Sequence, residues 1–179
     1  MSDWEQVLDT LVRERGAALV RYAALLTGST DDADDLVQEA LVRSFSQGRP
    51  LREAFAAESY VRRAIMSVFL DGYRRRRRWA GVRHLLGTAE VADGPERAAI
   101  DRLDVHAALL TLRPRLRACI VLRFYDDLTV PEIAQRLELA DGTVKRYLSD
   151  GIDALECVLG PMPDAHVENV TLLEKGSHR

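Results

Sequence analysis

Three stretches of this sequence carry residue types able to do chemistry, and in each the chemistry is recognition. The first is an acidic block, Asp31, Asp32, Asp34, Asp35 and Glu39. The second is a basic block, Arg62, Arg63, Arg74 through Arg78, and Arg83. The third is a polar and basic set, Thr143, Lys145, Arg146 and Ser149. A charge is felt over roughly 8 Å at physiological salt, so a ligand meets the local patch rather than the summed charge of the chain. Patches of opposite sign imply two different partners. No catalytic constellation accompanies them: there is no phosphate-binding glycine loop, metal-ligand helix or nucleophile motif in the sequence. Cys119 and Cys157 form no C-x-x-C pair and the histidines are scattered, so neither a metal nor a cofactor is expected.

The third set has the clearest frame. Thr129 and Glu132 have the spacing of a capping box, with Pro131 in the first turn, where a missing N–H costs nothing. Ile133, Ala134 and Leu137 repeat at helical spacing. After Glu138-Leu139-Ala140 a second helix starts near Asp141-Gly142, with Val144, Leu148, Ile152 and Leu155 on one face and Thr143, Lys145, Arg146 and Ser149 turned away from it. Two short helices with a buried seam and a basic start to the second describe a helix-turn-helix, whose recognition helix enters the major groove N-terminus first. Spacing alone fits an ordinary helical hairpin equally well.

The acidic block opens a helix over 31–45, where its first turn suits the positive end of the helix dipole. Leu36 and Ala40, with Leu41 or Phe45, face inward. Capping explains Asp31 and Asp32 but not the cluster further in, Asp35, Gln38 and Glu39, which with Val42 forms a polar face with a narrow apolar edge. The arginines lie on a helix over 60–78, with Val61, Ile65, Val68 and Gly72 on one side and Arg63, Ser67, Asp71, Arg74 and Arg78 on another. Consecutive arginines turn through 100° each, so Arg74, Arg77 and Arg78 share a face while their neighbours point elsewhere. A solvated basic face or an import-like patch would also read this way, but the self-repulsion of so many arginines favours an anionic partner. Four to six phosphate contacts would give log affinity a slope of about −4 to −5 against log salt.

Around these stretches the chain reads as helical throughout. Val7, Leu8, Leu11 and Val12 make an apolar stripe that Leu19, Val20, Ala23 and Leu26 continue beyond a break expected at Gly16. Residues 46–58 read as a long loop, 79–96 as a linker with Gly81, Gly87, Gly94 and Pro95, and the tail beyond Gly160 as mobile. Leu103, Ala107 and Leu110 mark one helix; Leu116, Ile120, Val121 and Phe124 mark the inner face of the next, in which Cys119 is a core residue. Only 6% of residues are aromatic, and strand-like alternation is hard to find. The expected class is therefore all-α: two small helical domains joined by a flexible linker, the C-terminal one with a helix-turn-helix. With no signal peptide and no apolar run near 20 residues, the chain is expected to be cytoplasmic, without membrane insertion.

Four motifs, in this order and spacing, resemble an extracytoplasmic-function (ECF) sigma factor of bacterial RNA polymerase: DDADDLVQEALVRSF at 31–45, YVRRAIMSVFLDGYRRRRR at 60–78, TLRPRLRACIVLRFYDDLTVPEIAQRL at 111–137 and DGTVKRYL at 141–148. The resemblance implies a promoter-specificity subunit that catalyses nothing itself. It implies domains at 1–80 (polymerase and −10 element) and 98–158 (−35 element), a linker at 81–97 and a tail at 159–179. Asp35, Leu36, Gln38 and Glu39 would dock on the β′ clamp helices of core RNA polymerase, whose β flap is a further contact. Arg63, Ser67, Arg74, Arg75 and Arg78 would hold the −10 promoter DNA, with the 46–58 loop placed to capture an unstacked base. Thr143, Lys145, Arg146 and Ser149 would read the −35 element. An anti-sigma factor is a further possible partner. The chain departs from the family at Tyr60 (usually Trp), Ser67 (usually Asn), Glu138 (commonly Gly), Ala140 (commonly a capping Ser), and Asp150 and Asp153, whose acids repel phosphate.

Two other readings compete. A free-standing helix-turn-helix regulator with an N-terminal sensor domain needs neither the acidic helix nor the arginine block. A helical RNA-binding protein would need stacking aromatics that the sequence lacks.

Overall fold

Leu11, Leu19, Tyr22, Ala23 and Leu26 recur at helical intervals, and all are fully buried in a computed structural model of the chain. The structure describes residues 3–46, 54–85 and 105–160. These form seven helices and no strand: α1 (Asp3–Thr27), α2 (Thr30–Phe45), α3 (Ala54–Leu85), α4 (Val105–Thr111), α5 (Pro114–Phe124), α6 (Val130–Leu137) and α7 (Asp141–Leu159). Helices α1, α2 and α3 pack against one another, and α4 to α7 form a second group closed around α5 and α7.

Several helix ends differ from the sequence expectation. Gly16 does not break α1, which runs on through it. A lone glycine costs about 1 kcal/mol in a helix, less than the burial of Leu11 and Leu19 on either side provides. Helix α3 starts at Ala54 and not Tyr60, with Ala57 and Glu58 buried near its start, and it passes Trp79 and Gly81 to end at Leu85. The expected loop is therefore shorter; its residues 47–53, the remaining linker with the start of the second domain (86–104), and the tail from 161 lie outside the described residues. The apolar stripes are also narrower than their spacing suggests: Val12 is 48% and Phe124 52% exposed.

Local chemistry accounts for the well-defined starts. The Ser29 hydroxyl accepts from the backbone N–H of Asp32 at 3.1 Å, which caps α2. The N–H of Thr129 donates to the Glu132 carboxylate at 2.8 Å, the capping box read from the sequence. Between α1 and α2, Gly28 has φ +92°, and a Cβ there would lie 2.7 Å from the Leu110 side chain. Glycine serves both the turn and the close approach of α4.

That approach brings the two helical groups together: their buried side chains form one continuous apolar cluster. Arg117 of α5 is the polar tie. Its guanidinium donates to the carbonyl of Leu26 in the last turn of α1, and to Leu110 and Leu112 at 2.9 and 3.0 Å. A cation suits the C-terminal end of α1. Burial pulls the Arg117 pKa down to about 10, which still leaves it charged at neutral pH. The His106 Nε2 lies 2.7 Å from the Ala24 carbonyl oxygen, two residues earlier in α1.

Candidate functional site

Three surfaces carry the residues singled out by the sequence. On α2, Ala33, Leu36, Val37, Ala40 and Ser44 are buried against α1 and α3. That leaves Asp35, Gln38 and Glu39 exposed on the opposite side, followed one turn later by Val42, 68% exposed. Leu36 is buried and braces the helix from within. Asp35 and Glu39 open onto a cleft of about 690 Å³ whose other wall includes Arg75, Arg76 and Arg78 of α3 and Pro114 and Arg117 of α5.

On α3, Val61, Ile65, Val68 and Phe69 turn inward. Arg63, Arg74, Arg75 and Arg78 are exposed and Ser67 is half-buried. Arg74 is 3.5 Å from Asp71, which also takes Arg43 of α2 at 3.2 Å, both at exposed positions where such pairs contribute little. Arg75 through Arg78 make no ion pair among the described residues, so this end of α3 presents uncompensated positive charge.

In the helix-turn-helix, Ile133, Ala134 and Leu137 of α6 and Val144, Leu148, Ile152 and Leu155 of α7 are buried, the seam read from the sequence. Lys145, Arg146 and Ser149 are exposed and Thr143 is half-buried, all in the first half of α7. The Arg146 guanidinium lies 5.5 Å from the Tyr147 ring centroid. Asp150 and Asp153 are exposed further along, so the positively charged part of α7 ends at its second turn. The turn is sharp: Glu138 caps α6 in the left-handed region at φ 55°, a conformation that costs an L-residue roughly 1–2 kcal/mol. Ala140 caps α7 without a side-chain hydrogen bond. Ala140→Ser should therefore stabilise the chain by about 1 kcal/mol, read as a raised urea midpoint with an unchanged slope.

One cluster had no signature in the sequence. Arg62 belongs to the basic block by position, yet its guanidinium donates to Glu58 Oε1 at 2.7 Å and to Asp126 Oδ1 at 3.1 Å. It also lies 5.4 Å from the ring centroid of Tyr22 and 5.2 Å from that of Tyr125. The Tyr22 hydroxyl donates to the other Asp126 oxygen at 3.0 Å. Burial, reinforced by Asp126, holds the Tyr22 pKa well above the ordinary tyrosine range. Residues 22, 62 and 126 share no periodicity, so nothing short of the packing brings them together.

This arrangement of an acidic helix, an arginine helix and a helix-turn-helix has relatives. The sigma-70 region 2 family matches residues 11–79, and the sigma-70 region 4 family matches residues 102–155. The chain is 32% identical over 161 residues to the ECF RNA polymerase sigma factor SigL of Mycobacterium tuberculosis, covering 86% of this chain and 89% of that protein. It is 34% identical over 137 residues to the RNA polymerase sigma-E factor of Streptomyces avermitilis, covering 76% of each. Among solved structures, the sigma factor RpoE of Bartonella quintana, in complex with the anti-sigma factor NepR, has a similar fold, with a TM-score of 0.57 at 23% identity over 89% of this chain and 98% of that one. With both sigma regions present in order and these relatives covered over most of their length, the chain belongs to the ECF sigma factors, the promoter-specificity subunits of bacterial RNA polymerase.

Proposed function

We propose that the family's two tasks are divided among the three surfaces as follows. The exposed carboxylates of α2, Asp35 and Glu39, with Gln38 between them, dock on the β′ clamp helices, and Leu36 keeps that face in register from the core side. The exposed face of α3, Arg63, Ser67, Arg74, Arg75 and Arg78, holds the −10 promoter DNA. The first half of α7, Thr143, Lys145, Arg146 and Ser149, reads the −35 element while the C-terminal module rests on the β flap. Residues 1–80 and 98–158 act as separate modules on the two promoter elements, joined by 81–97. The chain works in the cytoplasm and makes or breaks no bond itself; the polymerase does. An anti-sigma factor that separates or covers the modules would silence it.

The observation that carries this reading is the opposition of charge on neighbouring helices. Acids stand exposed on α2, and arginines without ion-pair partners among the described residues stand exposed at the end of α3. A regulator acting alone on duplex DNA has no use for that acidic face. Run-off transcription and a gel shift with and without core polymerase test it. The chain should bind duplex promoter poorly alone and direct specific initiation with core enzyme. Tight duplex binding by the free chain, with no effect of core, would favour a free-standing regulator instead.

A further inference from the structure

The cleft between α2, α3 and the start of α5 holds polar groups that neither polymerase docking nor promoter binding accounts for. Its volume is about 690 Å³. That is in the range of small-molecule sites, which often form where two units of a fold meet. Arg117 stands in its wall with only 8% of its surface exposed. Three carbonyl oxygens accept from the terminal nitrogens of Arg117, yet its buried Nε–H has no acceptor. No carboxylate pairs with it among the described residues, and burial alone lowers its pKa to about 10. A buried cation without a counter-ion is costly, and an anion set against it offsets part of that cost.

More positive charge lines the same space. Arg75, Arg76 and Arg78 are exposed there and unpaired among the described residues. Helix α5 begins on this wall at Pro114 with no side-chain cap, so the positive end of its dipole is open as well. The α2 wall has the opposite sign, with Asp32, Asp35 and Glu39. Ionised carboxylates only accept hydrogen bonds, so whatever they recognise must donate. Leu36, Val68, Phe69 and Pro114 complete the lining with apolar surface. A bare phosphate would suit the arginines, but it would meet the acids too and fill little of the space. A guanine nucleotide answers each part of the lining. Its phosphates are anionic and its ring is flat and apolar on both faces. Its N1–H and N2–H₂ donate side by side, a geometry that one carboxylate accepts with two oxygens.

We propose that this cleft binds a guanine nucleotide, with the phosphates on the arginine wall around Arg76 and Arg117 and the base edge on a carboxylate of α2. Asp32 and Arg76 have no part in the three recognition surfaces, and the cleft gives them one. Asp35 and Glu39 form its rim, so an occupied cleft competes with core polymerase. That consequence, unlike the binding itself, rests on reading α2 as the docking face.

Calorimetric titration of the full chain with GDP, UDP and inorganic pyrophosphate tests the site. GDP should bind with a Kd of about 10 µM. UDP, which lacks the amino group, should bind about tenfold more weakly or worse, and pyrophosphate more weakly still. Asp32→Ala with Asp35→Ala should bring GDP to the level of UDP. Arg76→Ala should weaken both nucleotides about tenfold and leave their ratio unchanged. All three positions are exposed, so circular dichroism should show the parent's helix content; Arg117 is left in place because it ties α1 to α5. No heat of binding with GDP at millimolar concentration overturns the site. Equal binding of GDP and UDP, or pyrophosphate as tight as GDP, overturns the guanine assignment and leaves an anion site only. In a pull-down with core polymerase, GDP and not UDP should release the chain. Retention despite GDP binding overturns the competition. If the chain with Asp35→Arg and Glu39→Arg is retained as well, it is the reading of α2 as the docking face that falls, and the nucleotide site stands.

Discussion

Asp35→Arg combined with Glu39→Arg is expected to abolish co-purification of the chain with core RNA polymerase while leaving its fold unchanged. Both carboxylates are exposed, and neither is in an ion pair among the described residues, so the fold depends on neither of them. Exposed substitutions of this kind change stability by about 0.5 kcal/mol or less. The side chains that hold α2 in place, Leu36, Val37 and Ala40, are on the other face. At an interface the same changes act twice: they remove two charged groups and set two cations against whatever basic groups received them. Disrupting one desolvated charge pair costs about 2–5 kcal/mol. Two reversals therefore weaken binding by about a thousandfold or more, beyond what a pull-down retains. A variant that melts like the parent and still co-purifies with core enzyme would remove α2 from the docking surface.

The second large effect is expected at the other end of the chain. Lys145→Ala with Arg146→Ala should lower transcription from a −35-dependent promoter by about a hundredfold. Each side chain that grips a base edge contributes roughly 1–3 kcal/mol of discrimination. Removing a cation from a phosphate also flattens the salt dependence of promoter binding by about one unit of slope. Alanine is the best helix former and both residues are exposed, so α7 itself is preserved. Leu148, Ile152 and Leu155 still hold it in the seam. A run-off assay over a range of salt separates the two contributions. Transcription equal to the parent at every salt concentration would mean that α7 is not the reading helix.

Both expectations depend on features that the sequence displays in short windows. The helix-turn-helix is legible because its determinants are local: a capping box closed over three residues, then apolar residues at i, i+4, i+8 and i+11 that meet across one turn. The apolar residues those spacings select are buried in α6 and α7, and the structure adds Gly151, packed against Ile120. The acidic face of α2 is legible for the same reason, since capping explains its first acids and leaves Asp35 and Glu39 over. Helix ends are less legible. Gly16 and Gly81 look like breaks because glycine weakens a helix locally, but α1 and α3 run through them, and around Gly16 the burial of Leu11 and Leu19 outweighs that weakness. Exposure at the stripe edges, Val12 and Phe124, is not legible either, because helical spacing gives an angle but no knowledge of how wide the neighbouring helix is.

The sequence by itself determined an all-α chain, the charge carried by each helix and the inner face of the helix-turn-helix, because hydrophobic period, capping and charge pattern act over one to three turns. Only the tertiary structure decided which charges remain free. Arg62 and Arg63 are adjacent and chemically identical, yet one is enclosed by Glu58, Asp126 and two tyrosine rings while the other stays exposed. Arg117 has no mark in the sequence that separates it from an exposed arginine, and it is buried against three carbonyl oxygens. A helix turns its side chains by 100° per residue, and the partner that meets each one comes from a segment sixty or ninety residues away, whose position is set by the packing of the whole core.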